Sequence, residues 1–350
     1  CLNTAFGFNA LNDTTSGCFN TAIGGCALDT NTTGKRNTAV GAYSLHTNTT
    51  GERNTAVGTC ALGLNSTGCD NTASGYRTLY SNTTGKRNTA YGYEPMYYNT
   101  TGDGNTASGF YSLRANTEGG YNTSSGFKSM NCNTTGNQNT GSGAYSLFKN
   151  TTACMNTAFG YSAGLNNTTG SSNVAVGRTA MYNNTTASNN VAVGREAMYS
   201  TTTGCENTAI GNEALCANTG GLRNTAVGHR SLYKNTGSYN LGIGYAALYT
   251  HTSGASNTAI GYSSMYCSTT SGYNSALGNG SLSKITTGTQ NVAIGNLALC
   301  SNTTQSHNVA IGACSLMANT TGADNTAVGA HALDANTTGG YNTAVGRNAL

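Results

Sequence analysis

A parallel β-solenoid is the fold this chain predicts, and three observations carry that reading. Asparagine recurs every seventeen residues, from Asn3, Asn20, Asn37 and Asn54 to Asn342, in twenty-one copies with one sixteen-residue step between Asn224 and Asn240. The copies share one pattern, N-T-A-V-G-x-x-A-L-x-x-N-T-T-G-x-x, and it leaves no stretch for a separate domain. Seventeen residues are too few for the paired helices of helical solenoids, whose units run about 33 to 47 residues. Residues 1–350 are therefore expected to form a single continuous all-β repeat domain of about 21 rungs, with no evident polar cap at either end.

The elements follow from the pattern, counting from the first Asn of each rung. Position 1 is Asn and position 5 is Gly in all twenty-one copies. Gly, Asn and Thr dominate, and all three rank poorly in helix interiors. A short strand over positions 1 to 4 fits instead. Position 3 is Ala in eighteen copies, with Ser124, Gly141 and Gly242 as exceptions. Position 4 is apolar in seventeen copies and Ser at Ser74, Ser108, Ser125 and Ser142. Position 2 turns from Thr to Val at Val174, Val191, Val292 and Val309, so positions 2 and 4 share one face and Ala takes the other. The fixed Gly suits a positive φ or a close approach of backbones. A second strand or tight turn near positions 8 and 9 carries Leu or Met in every copy except at Gly164. N-T-T-G then supplies a corner. A rung that buries one Val and one Leu cannot stand alone, so ladders, stacked Asn side chains and neighbouring rungs or chains must complete it.

Composition narrows the function classes. Charged residues are 8% of the chain and the net charge is +4, too dilute for a nucleic-acid surface. No apolar run approaches the ~18 residues of a membrane span. The five histidines fall at five different rung positions, and no zinc, nucleophile or phosphate-loop motif appears, so neither enzyme chemistry, metal nor cofactor is expected.

Three residue sets remain as candidate sites. The twelve cysteines cluster at a few rung positions, and Cys1 and Cys18 occupy one position on successive rungs. Their Cα atoms would lie about 4.8 Å apart, within disulfide range, which favours an oxidising setting and bridges, some of them between chains. The segment at positions 12 to 14 creates N-x-[ST] acceptors at Asn31, Asn48, Asn65, Asn82, Asn99, Asn133, Asn150, Asn167, Asn184, Asn302, Asn319 and Asn336. The plainer reading of these is a corner whose Asn bonds the backbone, since sugars at this spacing would crowd. Tyr80, Tyr97, Tyr182, Tyr199, Tyr233, Tyr249 and Tyr266 share position 10. They either pack against neighbouring rungs or form a surface aromatic stripe for sugar or filament contact.

The segments Asn-Val-Ala-Ile-Gly at Asn291 to Gly295 and Asn308 to Gly312, and Asn-Val-Ala-Val-Gly at Asn173 to Gly177, resemble the core of trimeric autotransporter adhesin heads. The fuller run Asn37 to Gly51 resembles repeats of tail-fibre-like proteins. The resemblance implies a left-handed β-roll, chains side by side and an adhesive or spacer role. The adhesin repeats are shorter than seventeen residues and poor in cysteine, which this chain is not.

These readings converge on a structural subunit of an extracellular fibre, appendage, adhesin stalk or tail-fibre shaft. Self-association is expected, with a host surface or glycan as a further partner and the cell or virion surface as the location. The alternatives are an ice-binding solenoid with threonine rows at positions 2, 13 and 14, and a passive spacer for a binding domain.

Overall fold

The computed structural model describes residues 2–350, and every rung of the sequence pattern forms one turn of a parallel β-solenoid. Each turn contributes one three-residue strand, twenty-one among the described residues, at positions 2 to 4. The repeat alone predicts one domain; the chain divides into two compact units, Cys1–Ser172 and Asn173–Leu350, built on the same turn.

In the first unit, strands β1 (Thr4–Phe6) to β10 (Thr157–Phe159) pair in parallel in chain order. Register is strict: Thr4 faces Thr21, Ala5 faces Ala22 and Phe6 faces Ile23. In the second unit, β11 (Val174–Val176) to β21 (Thr343–Val345) continue the same rule. The sixteen-residue rung does not disturb it. Between β14 (Thr225–Val227) and β15 (Leu241–Ile243), Thr225 still faces Leu241. The missing residue is absorbed at the corner, where Asn235 reaches Gly237 two residues on instead of three.

Alternation along the strand decides what is inside. The position-3 alanines, such as Ala22, Ala39 and Ala192, are fully buried, while positions 2 and 4 face outward. This corrects the expectation that the position-4 Val fills the core. The inner layer consists of position-3 Ala, position-8 Ala or Ser and position-9 Leu or Met, with Asn from positions 1 and 12. Small residues are needed because the two walls of the turn nearly touch. Where position 3 is Ser124, its hydroxyl donates to Ser129 O at 2.9 Å and accepts from Ser112 Oγ at 2.7 Å, which avoids an unmet buried donor. At Gly141, a Cβ would meet Ser129 Oγ at 2.8 Å, so the lost methyl makes room for a serine.

No second strand forms at positions 8 and 9. The chain there runs through left-handed residues instead: Cys26 and Leu28 have φ of 56° and 51°, and Arg36 at position 17 has 58°. Equivalent positions repeat this in the other rungs, at a cost of about 1–2 kcal/mol per non-glycine residue. Rung-to-rung hydrogen bonds outside the strands offset it, as in Leu28 N–H to Ser44 O at 3.0 Å and Arg36 N–H to Cys18 O at 3.0 Å. The ladder thus continues around the turn well beyond the three-residue strand.

Candidate functional site

Two asparagine ladders hold the turn closed and explain the fixed Asn. At position 1, Asn54 Nδ2 donates to Gly68 O at 2.8 Å, tying the start of its rung to its end. Its Oδ1 accepts the backbone N–H of Asn71, one rung on, at 3.0 Å. At position 12, Asn65 Nδ2 donates to Asn48 Oδ1 at 2.8 Å and to Gly68 O at 3.0 Å. One glycine carbonyl therefore accepts from both ladders, one bond for each lone pair.

The twelve N-x-[ST] asparagines at position 12 are members of the ladder there. Asn31, Asn48, Asn65, Asn82, Asn99, Asn133, Asn150, Asn167, Asn184, Asn302 and Asn319 are buried, and Asn336 is half-buried. In each, Nδ2 donates to the carbonyl of position 15 in its own rung. These bonds fill the corner role, and a sugar on that nitrogen would take one of its two N–H donors.

The position-13 threonine row is likewise occupied. Position-13 hydroxyls donate to the next rung's carbonyl, as Thr32 Oγ1 does to Thr49 O at 3.0 Å and Thr49 Oγ1 to Ser66 O at 3.1 Å.

Cys1 lies outside the described residues, so the Cys1–Cys18 pairing does too. Ten further cysteines are free thiols within the chain. Those two residues before the repeat Asn have a simpler role. Cys69 Sγ accepts Glu52 N–H at 3.4 Å and Cys154 Sγ accepts Asn137 N–H at 3.3 Å. Asp103, Asn137, Ser171 and Ser306 accept the same N–H elsewhere, so the position asks for a small acceptor, and thiol is one of several. Cys216 is half-buried beside Glu213 and Glu196, and burial first, then those carboxylates, push its thiol up to about 11.

The position-10 tyrosines stack along the axis. Ring centroids lie 5.3 Å apart for Tyr80–Tyr97, and 5.1 Å apart for Tyr182–Tyr199, Tyr233–Tyr249 and Tyr249–Tyr266. All seven are half-buried. A second row, at position 6, was not singled out from the sequence. Tyr76, Tyr93, Phe110 and Phe127 stack at 5.1 to 5.4 Å in the first unit, and His229, Tyr245 and Tyr262 at 5.2 to 5.3 Å in the second. Their seventeen-residue spacing was the available signal.

Between the rows, ion pairs are drawn inward. Glu94 takes two bonds from Arg114, at 3.0 and 3.1 Å, and that guanidinium also covers the rings of Tyr97, Tyr98 and Tyr111. Glu213 is held between Arg230 Nε at 2.8 Å and Arg195 at 2.9 Å, and the Arg230 hydrogen bond lowers its pKa. Of the histidines, His251 replaces a ladder Asn inside the turn and is buried; His46, His307 and His331 lie beside Asp29, Asp324 and Asp334. Among the described residues no three His, Cys, Asp or Glu side chains gather as a metal site, and no helix is long and apolar enough to cross a membrane.

The outer strand face differs between units. In the second unit, position 4 is Val, Ile or Leu in all eleven strands, and neither position 2 nor position 4 carries a charge. Ile210 is 42% exposed and Leu277 46%. In the first unit that row is broken by Ser74, Ser108, Ser125 and Ser142.

No family model matches the chain, and no curated protein matches it in sequence.

Proposed function

We propose that this chain is a structural subunit of an extracellular fibre or appendage, which associates with copies of itself through the outer faces of its strands. The observation that carries the reading is the charge-free aliphatic row of the second unit. A sheet face in water ordinarily carries charges that discourage pairing. Here eleven successive strands present branched aliphatics at one register. A second copy has the same spacing, so two such rows can interdigitate along their length. The polar inventory supports the reading as well, since amides, position-13 hydroxyls and position-16 acceptors are committed to rung-to-rung bonds.

The test is electron microscopy with sedimentation on the full chain and on a Val193→Lys, Ile210→Lys variant. Both side chains point outward, so the turn itself is spared. Filaments or laterally paired particles from the parent chain, shifted to smaller species in the variant, fit the proposal. A parent chain that stays monomeric at high concentration contradicts it, and so does a variant that assembles equally well.

A further inference from the structure

The two aromatic rows of the second unit enclose a groove that the structural role does not use. Its walls are Tyr245 and Tyr262 from position 6 and Tyr249 and Tyr266 from position 10, and its volume is about 500 Å³. The floor is position 7, and its residues decide whether the groove is open. In the first unit, Glu94, Tyr111, Lys128 and Tyr145 stand there and fill the trough. In the second, Ala246 and Ser263 leave it empty to a depth that buries Ala246 beneath the ring edges.

The ends of the groove differ. Arg230 closes one end and is neutralised by Glu213 at 2.8 Å. At the other, both rows stop, because Asn279 and Ser283 follow Tyr262 and Tyr266 at positions 6 and 10. No further ring stacks on either tyrosine beyond that point among the described residues. Lys284 stands at this mouth, exposed and without a carboxylate partner among the described residues. Tyr262 is 57% exposed.

We infer that this groove is a binding site for an acidic saccharide, with sugar rings lying between the tyrosine rows and a carboxylate at Lys284. The volume falls within the range of about 300–1,000 Å³ typical of small-ligand sites. Tyrosine offers an apolar ring for the C–H face of a sugar and a hydroxyl for its polar rim. Ser263 adds a hydroxyl that an apolar ligand would leave unpaired. The lining contains no carboxylate, and its one uncompensated charge is Lys284, which selects an anion. The inference stands on the groove alone and holds whether or not the chain forms fibres.

Calorimetric titration of the full chain with trigalacturonate, and with a neutral galactose trisaccharide as comparison, tests it. Two variants accompany the parent. Ser263→Tyr refills the floor with a side chain the repeat already carries at this position with φ near 57°, at Tyr43 and Tyr145. Lys284→Gln removes only the charge. The expected result is saturable binding of the acidic trisaccharide, lost in Ser263→Tyr and weakened about tenfold in Lys284→Gln, with the neutral sugar about tenfold weaker on the parent. Absence of saturable binding to the parent overturns the proposal, as does equal affinity for the neutral sugar or undiminished binding by Ser263→Tyr.

Discussion

At the scale of single residues, the invariant Asn is a clamp and not merely a turn former. Asn54 joins the first and fifteenth positions of its rung while capping the N–H of the next one. Asn54→Ala removes a buried donor and a buried acceptor together, with an expected loss of about 2–4 kcal/mol. Hydrogen exchange should show it as faster exchange at Asn71 N–H, with distant rungs unaffected; unchanged protection there would count against the clamp. His251 offers a second test. Its Nε2 faces Gly254 O at 2.9 Å, and a carbonyl only accepts, so this nitrogen carries the proton while Nδ1 takes the Ser268 hydroxyl at 2.8 Å. Burial pushes its pKa down, so the folded chain holds the neutral ring and binds fewer protons than the unfolded one. Stability from this site is present above the usual value of about 6.5 and declines as pH falls below it. His251→Asn, which restores the ladder residue, should flatten the melting temperature between pH 7 and 5 relative to the parent. An identical pH slope in both proteins would refute the assignment.

At the scale of the rung, the period and its alternation were legible because they report sterics directly. Only a small residue fits between the two walls, so the recurrence of Ala marked the inner face. The Val of position 4 misled: an apolar residue at fixed spacing reads as core, yet strand alternation places it outside, where only a partner could bury it. The left-handed residues were illegible, since Leu28 and Arg36 carry no chemical mark of a positive φ. They are held there by bonds to adjacent rungs, which no single rung reveals. The position-10 row could be read, and the position-6 row was equally available. The opening between them depends on small residues at position 7, whose meaning appears only once both walls are in place. Gly41 and Gly51 separate the two kinds of glycine. Gly41, at position 5, has φ of 129°, which an L side chain rarely adopts, whereas Gly51 lies outside the left-handed region. Position 15, where Gly51 sits, already holds Ala153 and Ala187 in other rungs. Gly41→Ala is expected to cost more than about 3 kcal/mol in chemical denaturation and Gly51→Ala much less; comparable losses would contradict the distinction.

At the scale of the whole molecule, each unit repeats a single solution, so its properties accumulate. A thin, half-polar inner layer gives little stability per rung, and continuity of the ladders supplies the rest. The same continuity turns one outward Val or Ile into a row eleven strands long. Sequence alone showed that a row existed; its outward direction required the strand register. The claim beneath every other conclusion is that seventeen residues make one turn, stacked in parallel on the next. Diffraction from oriented, concentrated protein tests that most directly. The account predicts a strong reflection near 4.8 Å along the stacking axis. A pattern without it, or one dominated by the helical spacing near 5.4 Å, would contradict the account.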